Sequence, residues 1–142
     1  MPYRERLTFY RLQDEDGRGL YYSDSADISC IYKMQPLKSP YHCLPEDDIL
    51  LSQWYENYFD EDIDRFAFCS LQQYFNWVHR ESWREEIADA GLSLIKLVAD
   101  GFYGESQGFY DRLSAEVVRV YNPNDKTLEE EIEKEIQEHE SI

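Results

Sequence analysis

The sequence predicts an α+β fold: a mainly antiparallel sheet with two to three short helices and a C-terminal acidic helix. β-type runs lie towards both ends of the chain, at residues 7–22 and 92–121, and helix-capping patterns lie between them. No internal repeat divides the 142 residues, and this length suits one hydrophobic core. We therefore expect a single domain over 1–125 and an acidic helix or tail over 126–142.

Residues 7–22 have the pattern of a β-hairpin. An alternating run from Leu7 to Leu12 leads into an acidic stretch with Gly17 and Gly19, and an extended run resumes at Leu20. Glycine adopts positive φ without steric cost, which favours a turn at this place.

Residues 46–64, which we call the acid block, combine acidic and aromatic side chains. The acid block holds eight acids and no lysine or arginine. Apolar residues recur at Leu51, Trp54 and Tyr58, a spacing typical of a helix. We expect a helix from about 47 to 59, with acids at both of its ends.

Capping patterns mark the helices that follow the acid block. There are two capping boxes, Ser70 with Gln73 and Ser82 with Glu85. The apolar residues after Ser70 follow helical spacing, and Gly91 is a typical C-terminal stop. These patterns predict helices near 71–79 and 83–90.

β-type sequence returns after Gly91, and we expect strands at 92–99, 107–113 and 116–121. Gly101, Gly104 and Gly108 are expected to break the chain between them. A third capping box, Thr127 with Glu130, starts the acidic tail helix.

Charge restricts the classes of partner. The chain has 30 Asp and Glu against 14 Lys and Arg, a net charge of -16, and it is 15% aromatic, which distinguishes it from a disordered acidic tail. Such a chain is repelled by nucleic acids and anionic lipids and attracts basic surfaces. We expect a basic, nucleic-acid-binding host protein as partner, and no direct binding of nucleic acid or membrane.

Neither a cofactor nor a metal is expected from the residue patterns. Asp60, Asp62 and Asp64 alternate like calcium ligands, but Arg65 stands where the calcium loop requires glycine. The cysteines form no CxxC pair, and their sparse, odd number fits a reducing compartment. The charged start of the chain lacks a signal-peptide core, so we expect a cytoplasmic protein.

Three segments, in order, resemble the ADP-ribosyltransferase fold: Phe9-Tyr10-Arg11, Phe68-Cys69-Ser70-Leu71, and Glu105-Ser106-Gln107 before the last strands. In that family an arginine and a serine hold NAD, and a glutamate drives the transfer. The resemblance implies Arg11, Ser70, Glu105 and Gln107 as site residues and NAD as cofactor. Gln107 stands at the position of the catalytic glutamate and lacks its charge, which equally implies a degenerate relative.

The pattern YR-x5-G-x-G-x-Y, with a later F-x-F-x-S-L-x5-W, is similar to that of small phage and prophage proteins. Size and acidity are similar to those of phage-encoded inhibitors, including anti-CRISPR proteins and DNA mimics. This resemblance implies an acidic anti-defence inhibitor that blocks a basic surface.

Three interpretations remain open: an inhibitor, an ADP-ribosyltransferase-like enzyme, and a small acidic structural or regulatory subunit. For the inhibitor, the expected partner-binding residues are the acids and aromatics of the acid block. They are Asp47, Asp48, Trp54, Tyr55, Glu56, Tyr58, Asp60, Glu61, Asp62 and Asp64. Alternatively, Trp54 and Tyr58 belong to the core and the acids only solubilise the chain.

Overall fold

The computed structural model describes residues 4–17, 58–60, 62–78, 80–104 and 107–140. Within them, five strands and three helices confirm the predicted α+β fold with an antiparallel sheet. The strands are β1 (Glu5–Gln13), β2 (Asp64–Ala67), β3 (Ser93–Tyr103), β4 (Gly108–Asp111) and β5 (Glu116–Tyr121). The helices are α1 (Leu71–Trp77), α2 (Glu81–Asp89) and α3 (Thr127–Glu140), and a 3-10 turn, Arg112–Ser114, joins β4 to β5.

β3 is the central strand of the sheet. β1 runs antiparallel along one edge of β3, from residue 93 to 101. Two strands share the other edge, β5 opposite residues 94–98 and β4 opposite residues 101–103. β2 then pairs with the far side of β4.

The sheet curls until its two edges meet. Just beyond β2, Phe68 pairs with Tyr10 of β1 through two backbone hydrogen bonds of 2.7 and 2.8 Å. β1, β3, β4 and β2 therefore form a closed ring, which we call the closed half. β5, outside that closure, is called the open half.

Gly101 permits the tight curl of the closed half. A Cβ at this position would overlap the carbonyl oxygen of Phe109 and lie 2.9 Å from Cζ of the buried Phe9. The sequence predicted a chain break at Gly101, and this was wrong. The residue lies inside β3, opposite Tyr110, because strand and ring pack too closely there for any side chain.

The three helices pack on one face of the sheet. Their buried apolar residues form one cluster with side chains of β1, β3 and β5. Leu128, in the first turn of α3, is fully buried in this cluster. The hydroxyl of Tyr74 in α1 also donates to the carbonyl of Pro123 at 2.9 Å, which ties the chain before α3 to α1.

The capping residues of α1 act almost as predicted. The Ser70 hydroxyl accepts the N–H of Gln73 at 3.1 Å. The Gln73 side chain returns to the N–H of Cys69 at 2.7 Å, one residue before the cap. Both contacts satisfy amides that a helix start leaves unpaired.

The second helix starts earlier than the sequence predicts. α2 begins at Glu81 after Arg80, which makes no side-chain cap, so the capping box of Ser82 and Glu85 was wrong. The predicted stop is confirmed, since Gly91 has a φ of 90°. Leu92 donates its N–H to the carbonyl of Ile87 at 3.3 Å, as in a Schellman motif.

Other predictions meet the structure only in part. The first strand of the predicted hairpin is β1, whereas its return run from Leu20 and most of the helix over 47–59 lie outside the described residues. The capping box of Thr127 and Glu130 was wrong, because Asp125 accepts both the N–H and the hydroxyl of Thr127. Within the described ranges, no helix is long and apolar enough to cross a membrane.

Candidate functional site

Asp64, at the end of the acid block, points into the protein. Its carboxylate forms a two-pronged ion pair with Arg4, at 2.7 and 2.9 Å, and accepts the N–H of Asp60 at 2.8 Å. The Asp64 side chain is fully buried, so it holds β2 to the start of β1 rather than facing a partner. Six other predicted partner-binding residues lie outside the described residues: Asp47, Asp48, Trp54, Tyr55, Glu56 and Glu61.

Tyr58 packs against the sheet. Its ring lies 5.4 Å from that of Phe102, and the neighbouring Phe59 stacks on Phe66 at 4.8 Å. The Arg4 guanidinium lies over the same Phe102 ring, at 5.3 Å. Tyr58 is therefore half-buried in an aromatic cluster, which matches the alternative that it contributes to the core.

Asp60 and Asp62 are the exposed acids in the described part of the acid block. The N–H of Asp62 donates to the Asp60 side chain at 2.9 Å, so the two residues form a local turn. Because the turn is anchored by Asp64 below it, the two carboxylates are presented to solvent from a fixed base.

The described arginines are engaged within the molecule. Arg11 donates to the carbonyl of Phe66 and Arg84 to that of Val78, each at 2.7 Å. Burial lowers the pKa of Arg11 below its usual value, an effect that nearby Tyr110 opposes. The other six also make ion pairs, carbonyl hydrogen bonds or ring contacts: Arg4, Arg6, Arg65, Arg80, Arg112 and Arg119.

A row of acids faces solvent along α2. Glu81, Glu85 and Asp89 are exposed and four residues apart, which places successive carboxylates about 6 Å apart along the helix. No ion pair joins them to another described residue. The described guanidinium groups are thus each engaged in a contact within the molecule, four of them at exposed positions, whereas the carboxylates of this row have no ion pair among the described residues.

The residues implied by the transferase resemblance have separate structural contacts. Arg11 holds β1 to β2, and Ser70 caps α1. Gln107 is fully buried, and neither atom of its amide has a hydrogen-bond partner in the described part of the chain. Glu105 lies outside the described residues. Among the described residues, no hydrogen bond joins Arg11, Ser70 and Gln107 to one another.

The sequence did not predict two of the side-chain contacts in the structure. Arg4 and Asp64 are 60 residues apart, and no local pattern connects them. Tyr121 donates its hydroxyl to Glu131 at 2.6 Å, and burial together with this carboxylate raises the pKa of Tyr121 to about 12. Within the described ranges, no three His, Cys, Asp or Glu side chains are grouped to hold a metal ion.

Fold and surface together define a small acidic α+β protein with a ring-closed antiparallel sheet and exposed carboxylates along the acid block and α2. The family model described as Bacteriophage T4 Y00F protein matches residues 6–124, and the chain belongs to this family. Membership supports a phage origin for the chain. No curated protein matches it, and no solved structure matches it.

Proposed function

We propose that this protein is an acidic phage inhibitor that binds a basic, nucleic-acid-binding surface of a host protein. The observation that carries the proposal is the set of exposed carboxylates in the acid block and on α2, which have no ion pair among the described residues. The chain has a net charge of -16, and the described arginines are each engaged in a contact within the molecule, four of them at exposed positions. Carboxylates at the surface can form ion pairs and hydrogen bonds with Arg and Lys side chains, as phosphates do.

The family match supports the phage setting of this proposal. The anti-defence role of the anti-CRISPR kind is part of what we propose. The acid block is the proposed docking region, and Asp60 and Asp62 are its described, exposed members. A strongly acidic surface accelerates encounter with a basic partner, and salt screens that attraction.

The first experiment is capture from a bacterial lysate, followed by titration of the captured protein against the purified chain. We expect a nucleic-acid-binding protein whose affinity falls at least about tenfold between roughly 50 and 200 mM salt. DNA or RNA should compete with the chain for it. Binding that ignores both salt and nucleic acid would contradict the proposal.

Two matched double variants locate the docking region. Asp60→Asn with Asp62→Asn removes two charges from the acid block and keeps the oxygen that forms the turn. Glu85→Gln with Asp89→Asn removes two charges from α2. We expect only the first pair to weaken binding strongly. Equal weakening would indicate that binding depends on the overall negative charge of the chain and not on one docking region. No weakening by either pair would contradict binding through carboxylates.

The alternative, an NAD-dependent ADP-ribosyltransferase-like enzyme or a degenerate relative, gains no such support. It requires Arg11 and Ser70 to contact NAD, whereas both side chains make the internal contacts described above. Calorimetric titration with NAD tests this alternative directly. Saturable binding that Ser70→Asn, which retains a capping side chain, abolishes would favour the enzyme.

A further inference from the structure

Among the described residues, no strand pairs with the outer edge of β5, and the valines of this strand are exposed. Of the five described strands it alone lies outside the closed ring, and among the described residues it pairs only with β3. Val117, Val118 and Val120 are 54%, 57% and 59% exposed. β-branched residues favour sheets, and an unpaired edge is a template for another strand.

The pairing with β3 shows which side chains of β5 share a face. Glu116 and Arg119 lie opposite Val98 and Lys96, which are two residues apart and therefore on one face. Val117 and Val120 lie opposite Leu97 and Ile95, on the other face. The β-bulge between these pairs keeps Glu116 and Arg119 together although they are three apart in sequence.

We propose that β5 pairs with β5 of a second copy of this chain, antiparallel about a twofold axis between Val117 and Val118. In this register Glu116 lies opposite the partner's Arg119, and Arg119 lies opposite the partner's Glu116. Both opposite-charge pairs fall on one face, as cross-strand pairing requires. The strand is therefore complementary to itself in charge, and the same register places Val117 opposite the partner's Val118.

The existing contacts of these two charges are compatible with the pairing. Arg119 contacts Glu131 through Nη1 at 2.8 Å, and a guanidinium has five N–H donors. Glu116 is 78% exposed and its contact with Arg6 is 3.5 Å long. Neither side chain has to leave the surface to meet a partner strand.

Salt separates this proposal from the proposed function, on which it does not rest. Two copies of a strongly acidic chain repel each other at long range, and salt screens that repulsion. Self-association should therefore strengthen as salt rises towards about 150 mM, whereas binding to a basic partner should weaken.

Charge reversal tests the register. Glu116→Arg places two arginines opposite each other in the dimer, and Arg119→Glu places two glutamates opposite each other. By sedimentation equilibrium, each variant should self-associate at least about tenfold more weakly than the wild type. An equimolar mixture should regain the wild-type association, since both pairs are then opposite in charge. Circular dichroism and melting curves check that each variant folds.

Val120→Thr is the second variant, because it keeps a β-branched shape at an exposed position while making the apolar face polar. It should also weaken the dimer without changing the melting temperature. A wild-type chain that stays monomeric up to about 1 mM at every salt would overturn the proposal. So would a dimer that none of the three variants weakens, or a mixture that stays monomeric.

Discussion

The closed and open halves treat directly paired apolar side chains in opposite ways. Leu97 of β3 is 2% exposed, whereas Val117, its direct partner in β5, is 54% exposed. In the closed half, the carboxylate of Asp64 is buried and paired with Arg4. In the open half, the three valines are exposed and a polar contact lies at the rim, between Arg119 and Glu131.

This difference shows that enclosure, rather than strand sequence, decides burial in this sheet. β4 and β5 lie on the same edge of β3, yet only β4 has a further described strand beyond it. The closed half should therefore depend on a few irreplaceable contacts, and the open half should tolerate change. Four predictions test that contrast, beginning with the largest effect.

Replacing Asp64 should have the largest effect. Asp64→Ala leaves Arg4 without its carboxylate and Asp60 without its acceptor. Because breaking a buried ion pair leaves an uncompensated charge, we expect a loss of about 3 to 4 kcal/mol in the free energy of unfolding, measured in urea. Asp62→Ala, in the same loop but exposed, should lose less than about 0.5 kcal/mol. Similar losses would refute the structural role of Asp64.

Adding one methyl group at Gly101 should break the packing of the ring. The new Cβ in Gly101→Ala pushes away both the carbonyl of Phe109 and the ring of Phe9. We therefore expect a loss of about 2 kcal/mol or more in the free energy of unfolding. Gly17→Ala is the control, since its Cβ meets nothing within 4 Å. There only the positive φ opposes alanine, at about 1 kcal/mol. A smaller loss at Gly101 than at Gly17 would contradict the tight curl.

Local patterns predicted the elements well where short-range chemistry decides them. Gly91 and Ser70 end and start helices through contacts within a few residues, and both were predicted. The capping box at Ser82 was wrong because packing of Trp83 and Ile87 on the sheet starts the helix earlier, at Glu81. Gly101 was misjudged because its role depends on Phe109 of another strand.

The candidate surface was less predictable, because an acid in the sequence does not reveal its partner. Asp60, Asp62 and Asp64 look alike in a row, yet only Asp64 is buried, through an arginine far away at the start of the chain. The exposure of the valines in β5 was equally invisible. A β-branched run predicts a strand, and the ring closure that excludes this strand is a property of the whole sheet.

Gln107 gives a smaller test of the closed half, in the direction of greater stability. Its amide is buried without a hydrogen-bond partner among the described residues, which is unfavourable by about 1 to 3 kcal/mol. Gln107→Met, of similar volume, should therefore raise the free energy of unfolding by about 1 kcal/mol. Gln73→Met is the matched control and should lower it, because that amide contacts Cys69 and Gly104. Destabilisation at Gln107 would show that a bound water satisfies its amide.

The smallest expected effect belongs to the rim of the open half and depends on pH. The pKa of Tyr121 is raised to about 12, first by burial and then by the hydrogen bond to Glu131. The folded state therefore favours the protonated hydroxyl. Its contribution to stability is complete below pH 10, the usual pKa of tyrosine, and is lost as the pH rises towards 12.

Two variants separate those causes. Tyr121→Phe should cost more stability at about pH 9 than at about pH 11, as measured by urea unfolding. Glu131→Gln should lower the pKa of Tyr121 but leave it above 10, because burial remains. Carbon NMR of the tyrosine rings measures this pKa. An unchanged pKa in Glu131→Gln would mean that α3 does not hold its carboxylate against β5. The open half would then lack the hydrogen bond by which Tyr121 ties its edge strand to the helical face.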